Sequence, residues 1–226
     1  MNKLIKLISL IVISMSVYLI YNKTSNSYYQ ITSIGDKLSI GNNNNRLEKN
    51  YIDYYKEYIK KEKNKVIVEK SLSKDNQSIN SVLLQIKSNP EMKRKIINSN
   101  LIIITLGYND LVYNLAIEEK KDDITRNKII KEIKKEYNDL ISEIKKYYHK
   151  EIIVVGYCKS SDYYLDKGIV ELNKILKSNK KIHYIDTYYL LNNKTKYYIN
   201  SRSNYPNNRG YYEITKKIIS KTLEIC

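Results

Sequence analysis

Apolar and polar positions along the 226-residue chain fall into two rhythms. Short unbroken apolar runs at 29–34, 66–69, 101–106, 152–157 and 182–186 read as strands. Between them, apolar residues recur every three or four positions over 51–63, 79–97, 124–148 and 165–176, and again over 211–223 after the last strand. The clearest stripe is Ile130, Ile133, Tyr137, Leu140, Ile141, Ile144 and Tyr148. Pro90 interrupts the second helical stretch, because proline removes a helix hydrogen bond. Strand and helix alternating in this way predict a three-layer α/β/α domain with a central parallel sheet of about five strands. The continuous runs at 101–106 and 152–157 suit strands buried on both faces.

The N-terminus has a different pattern. Lys3 and Lys6 precede an apolar stretch at 7–21 broken only by Ser9, Ser14 and Ser16. Counted from Leu4, with Lys6 able to snorkel, the stretch is 18 residues, near the length a helix needs to cross a bilayer. The same pattern fits the apolar region of a signal peptide, but no small-x-small cleavage site follows it and no cysteine for lipid attachment. Residues 1–22 are therefore expected to form an uncleaved anchor or signal, with the positive end inside. A short linker at 23–28 leads to the domain, 29–226, on the extracellular side of the cell membrane.

Composition alters this picture less than it first suggests. The formal net charge is +16, and such a chain is drawn to nucleic acid, anionic lipid or acidic polymers. Lys, Ile, Asn and Tyr make up 121 of the 226 residues, all with AT-rich codons, so much of the charge follows from composition. The lysines are interleaved with Glu and Asp along the helices, as at 58–65, and no nucleic-acid-binding motif accompanies them. No nucleic-acid partner is expected. Cys158 and Cys226 make no disulfide framework and have no metal-ligand spacing with His149 or His183, so neither metal nor cofactor is expected.

In a sheet of this kind ligands bind outside the C-terminal ends of the strands. Three informative blocks lie there. The first strand runs into Gly35-Asp-Lys-Leu-Ser-Ile-Gly41, the third into Gly107-Tyr-Asn-Asp110, and the last helix follows Tyr205-Pro-Asn-Asn-Arg-Gly-Tyr211. Four of the six glycines, Gly35, Gly41, Gly107 and Gly210, sit in these blocks, which marks turns of special backbone geometry.

The three blocks in this order resemble the SGNH (GDSL) hydrolases, esterases and lipases with a flavodoxin-like α/β/α fold. Members read Gly-Asp-Ser-Leu after the first strand, Gly-x-Asn-Asp after the third, and Asp-x-x-His-Pro-Asn-x-x-Gly-Tyr before the last helix. The resemblance covers roughly residues 29–224. It implies a Ser-His-Asp site, and here the sequence departs. The nucleophile position holds Lys37, the histidine position Tyr205 and the aspartate position Arg202. The oxyanion-hole glycine of the second block falls on Lys74; the oxyanion-hole asparagine is kept as Asn109. Gly35, Asp36 and Gly107 are retained around it.

These exchanges remove the chemistry. A serine nucleophile needs an imidazole to take its proton and a carboxylate to orient that imidazole. Lysine has no hydroxyl, tyrosine is a poor base at pH 7, and arginine cannot act as the carboxylate. The expectation is a pseudoenzyme with a binding or structural role, its pocket mouth turned toward an anionic ligand of the cell envelope by the introduced cations. The alternative is an active acyl or acetyl esterase with a relocated nucleophile. Ser39 is the nearest hydroxyl, although a helix cap explains it as well; Cys158 borders the same strand ends. Asn109 and Asp110 also suit a turn without catalysis.

Overall fold

The computed structural model describes residues 14–15, 28–41, 49–63, 65–118, 122–200 and 205–225. The sequence reading of an anchor at 1–22 therefore lies outside the described residues, apart from 14–15. No helix among the described residues is long and apolar enough to cross a membrane.

Five strands form one sheet: β1 (Tyr29–Gly35), β2 (Val66–Ser73), β3 (Leu101–Thr105), β4 (Ile152–Val155) and β5 (His183–Ile185). All neighbours are parallel, in the order β2-β1-β3-β4-β5. The chain steps from β1 outward to β2, then crosses back to β3, so the switch point lies between β1 and β3. β3 and β4 are buried at every position, as continuous Ile and Val runs dictate for a sheet covered on both sides.

The helices are α1 (Lys37–Ile40), α2 (Tyr51–Ile59), α3 (Ile79–Ser88), α4 (Pro90–Ile97), α5 (Tyr108–Ile117), α6 (Asp123–Lys145), α7 (Tyr163–Ser178), α8 (Lys194–Tyr197) and α9 (Asn208–Ile225). α2 packs on α9, while α3, α5, α6 and α7 pack among themselves, which makes the two outer layers. Asn89 ends α3 and caps α4 in one residue, and Pro90 occupies the first turn of α4, where its missing N–H costs nothing. The chain has no Phe or Trp, and Tyr51, Tyr55, Tyr137, Tyr148 and Tyr211 fill the core instead. Most buried phenols find hydrogen-bond partners, although the Tyr137 hydroxyl has none among the described residues. Tyr148 donates to the carbonyls of Asn100 at 3.1 Å and Glu151 at 3.2 Å, tying α6 to the sheet ends.

Several elements differ from the sequence reading, among them the short α1 and α8, which it did not include. β2 continues four residues past Glu69, because the charges that argue against a strand are paired at the sheet edge. Lys70 Nζ lies 3.0 Å from Asp53 on α2, and Glu69 lies 3.4 Å from Lys95 on α4. α5 has no counterpart in the reading; Gly107-Tyr-Asn-Asp110, read as a turn, forms its first turn.

Candidate functional site

The site is built where β1 and β3 end side by side. Gly35 is opposite Thr105, and a Cβ on Gly35 would lie 2.5 Å from the Thr105 carbonyl oxygen and 2.7 Å from Ser39 Oγ. Only glycine fits. The Asp36 N–H then donates to the Thr105 carbonyl at 3.0 Å, and the Lys74 N–H to the Gly35 carbonyl at 3.0 Å, which welds three strand ends together.

Asp36 caps α1. One carboxylate oxygen accepts the Leu38 N–H at 3.0 Å and the other accepts the Tyr157 hydroxyl at 2.8 Å. The side chain is 3% exposed and has no cationic partner bonded to it among the described residues, so burial outweighs both hydrogen bonds and pushes its pKa up to about 7. The neighbouring charge of Asp110 acts in the same direction. Asp110 accepts the Ile79 N–H at the start of α3, at 3.1 and 3.3 Å, yet burial raises it to about 6. Gly107 has φ +116°, a left-handed conformation that a side chain disfavours, and this geometry turns Tyr108 and Asn109 toward the cleft.

Lys37 opens α1, half-exposed. Its Nζ lies 4.8 Å from the centre of the Tyr205 ring and 3.7 Å from Asp75. Tyr205 is held in place by the segment around it. Tyr198 and Pro206 form an antiparallel bridge, and the Asn207 side chain donates to the carbonyls of Lys196 and Tyr198, both at 3.0 Å. The same side chain accepts the N–H groups of Arg209 and Gly210 at the start of α9. Burial raises the Tyr205 phenol above its ordinary value, with Asp36 and Asp75 adding to the effect, so the hydroxyl keeps its proton.

Lys37, Asn109 and Tyr205 thus share one cleft with Asp36. Lys74 is exposed and is not among its lining residues, and its N–H is already bonded to Gly35. Asn109 donates its side-chain amide to the carbonyls of Asp75 at 2.9 Å and Gln77 at 3.1 Å, so both amide protons hold the loop after β2. Arg202 lies outside the described residues. Ser39 is fully buried, its hydroxyl donating to the Asp36 carbonyl at 2.7 Å, and it does not line the cleft.

The structure adds residues the sequence reading did not single out. Tyr108, Tyr157, Lys159 and Tyr198 line the cleft. The rule that ligands gather at strand ends already pointed at 156–160, where Cys158 was noted; Tyr198 comes from a distant segment and carried no signal. Burial raises the Tyr198 phenol, and a hydrogen bond to Cys158 adds to that. Imidazole is what the cleft lacks. The chain has two histidines, and both line a hollow at the opposite end of the sheet, with Lys145, Glu151, Lys180 and Lys181. His183 bonds the Glu151 carboxylate there. Among the described residues no cluster of His, Cys, Asp and Glu is arranged to hold a metal.

No family model matches the chain. The spore germination lipase LipC of Bacillus licheniformis is 24% identical over 200 residues, spanning 84% of this chain and 94% of that protein. Among solved structures, a lipase from a goat rumen metagenome superposes with a TM-score of 0.71 at 24% identity, over 85% of this chain and 96% of that one. An acetylxylan esterase from Geobacillus stearothermophilus gives a TM-score of 0.60 at 14% identity, over 85% and 93%. The strand order, the three blocks at the strand ends and these likenesses agree, and the chain has the three-layer α/β/α fold of the SGNH/GDSL hydrolases.

Proposed function

We propose that this domain uses the SGNH cleft to bind an anionic ligand without hydrolysing esters, and that the 4–21 stretch anchors it to the cell membrane with the cleft outside. The observation that carries the reading is the placement of both histidines at the far end of the sheet. Acyl transfer by a hydroxyl or thiol needs a base within hydrogen-bond reach. Tyr205 keeps its proton, and Asp36 already accepts two hydrogen bonds from the protein. The oxyanion donors that the family resemblance assigns, the Asn109 amide and the Lys74 N–H, are bonded to backbone carbonyls. Lys37 and Lys159 give the cleft its positive side.

A second reading, an active esterase with a relocated nucleophile, is favoured by the named lipase and esterase relatives. Full-length protein assayed with short-chain nitrophenyl esters separates the two. Turnover at the level of buffer is the expected result. Turnover well above it, lost in Ser39→Ala or Cys158→Ala, establishes the second reading instead. Retention in the membrane pellet after alkaline carbonate washing is expected of the anchor; release of the whole protein overturns it.

A further inference from the structure

We propose that the N-terminal end of the sheet docks on an anionic lipid bilayer through the lysines of the loops that enter the strands, with the cleft turned away from the membrane. This rests on the anchor reading above and goes beyond it. All five strands are parallel, so the segments leading into them share one end of the domain. Lys61, Lys63 and Lys65 precede β2, Lys150 precedes β4, and Lys180 and Lys181 precede β5. All six are exposed, and none has a carboxylate at ion-pair distance among the described residues. The acids beside them are Glu62 and Glu151, and His183 already bonds Glu151. At the other end the sign reverses, with Asp36, Asp75, Asp110, Asp122, Asp162 and Asp186 at strand exits and helix starts.

Helix dipoles account for cations near the ends of α6 and α7. They do not account for Lys61, Lys63 and Lys65, which lie past the end of α2 at Ile59, whose last turn already carries Lys56. The tether points to the same end. Seven residues, 22–28, separate the 4–21 stretch from β1, so the start of β1 lies within about 30 Å of that stretch. In the sheet order, β1 enters between the lysine loop of β2 on one side and those of β4 and β5 on the other. The potential of an anionic bilayer reaches about a Debye length, roughly 8 Å, so only charges at the end nearest the tether feel it. From β2 to β5 the lysines span four strand spacings, about 20 Å, a breadth that suits a planar partner better than a single polyanionic strand. Ile97, 51% exposed at the end of α4, adds an apolar side chain to the same face. The seven residues of β1 then hold the cleft about 20 Å farther from the bilayer, facing a ligand that arrives through water.

The test is acetylation of lysines by an amine-reactive reagent, read by mass spectrometry, on the full-length chain in nanodiscs. One set of discs is phosphatidylcholine alone and the other contains about one-third phosphatidylglycerol. In the anionic discs, labelling of Lys61, Lys65, Lys150 and Lys180 is expected to slow about fivefold, and that of Lys37, Lys74 and Lys159 at the cleft end by less than about twofold. Salt at about 1 M is expected to abolish the difference, because screening then cuts the reach to about 3 Å. Lys180→Glu with Lys181→Glu is expected to lower the protection of Lys61 and Lys65, at the opposite edge of the sheet, about twofold. The salt arm decides without any variant. Equal labelling in the two kinds of disc, equal protection at both ends of the domain, or protection that survives salt overturns the proposal. Protection of the same lysines by a single-stranded oligonucleotide and not by anionic discs overturns it too, and assigns the face to nucleic acid. Protein that separates from the discs on gel filtration overturns the anchor reading and this proposal together, whereas retained protein with open lysines overturns this proposal alone.

Discussion

The two ends of the sheet are built on opposite principles. At the C-terminal end, buried carboxylates accept hydrogen bonds from backbone N–H groups and from the Tyr157 hydroxyl, and a glycine is required where β1 meets β3. At the N-terminal end, the two histidines and several lysines sit in an open hollow near the C-termini of α6 and α7. Cations are favourable at helix C-termini, and His183 is satisfied by Glu151, so that hollow needs no ligand to explain it. The difference teaches that the imidazoles lie away from the cleft, whose own titratable groups are buried carboxyls, phenols and lysines. The end shaped like a hydrolase site holds carboxyl and phenol groups whose pKa burial raises, and the end with imidazoles has no frame around them.

The largest expected effect tests how far burial dominates the first end. The pKa of Asp36 is raised in the fold, from 3.8 to about 7, so the folded state holds this proton more tightly than the unfolded chain. Stability from this group is full below about pH 4 and is lost as pH rises through 7, by up to about 4 kcal/mol. Asp110, raised to about 6, acts with the same sign. Asp36→Asn keeps an acceptor for Leu38 and is expected to flatten the profile between pH 4 and 8 in urea unfolding. An unchanged slope would show that the carboxylate is solvated. Next, Gly35→Ala is expected to cost about 3 kcal/mol in the same measurement, because the Cβ meets a backbone oxygen that cannot move away; a loss under 1 kcal/mol would mean that the weld is loose.

Tyr157→Phe removes the hydroxyl that Asp36 accepts, and is expected to cost about 2 kcal/mol at pH 8, where the carboxylate is charged, and less at pH 5. Equal losses at both pH values would assign the effect to packing. The smallest effect belongs to the other end of the sheet. His149→Ala and His183→Ala are expected to change stability by no more than about 0.5 kcal/mol in the same urea unfolding. A loss above about 2 kcal/mol from either would break the contrast between the two ends.

Much of this was legible in the chain. The apolar runs at 101–106 and 152–157 became the buried β3 and β4, since a strand covered on both faces can carry nothing else. The stripe from Ile130 to Tyr148 became α6 and the turn after it. Lys37 and Tyr205 were readable as cleft residues because their blocks include glycines whose backbone demands are local. β2 beyond Glu69 was not legible, because the partners that neutralise Glu69 and Lys70 lie on separate helices. Nor was α5, whose first turn carries the same residues a loop would.

What the sequence by itself determined is therefore the alternation of strands and helices, the glycine-bearing blocks at the strand ends, and the residues Lys37, Tyr205 and Arg202 at the positions that the family resemblance assigns to a triad. All of these depend on residue type and short-range geometry. The tertiary structure alone decided that Asn109 spends its amide on the loop after β2, that Ser39 turns inward, and that Tyr157 shields Asp36 from across the sheet. It also decided that both histidines lie at the far end. Hydrogen bonding and burial join residues more than thirty, or more than a hundred, positions apart, and no local pattern in the chain records which of them will meet.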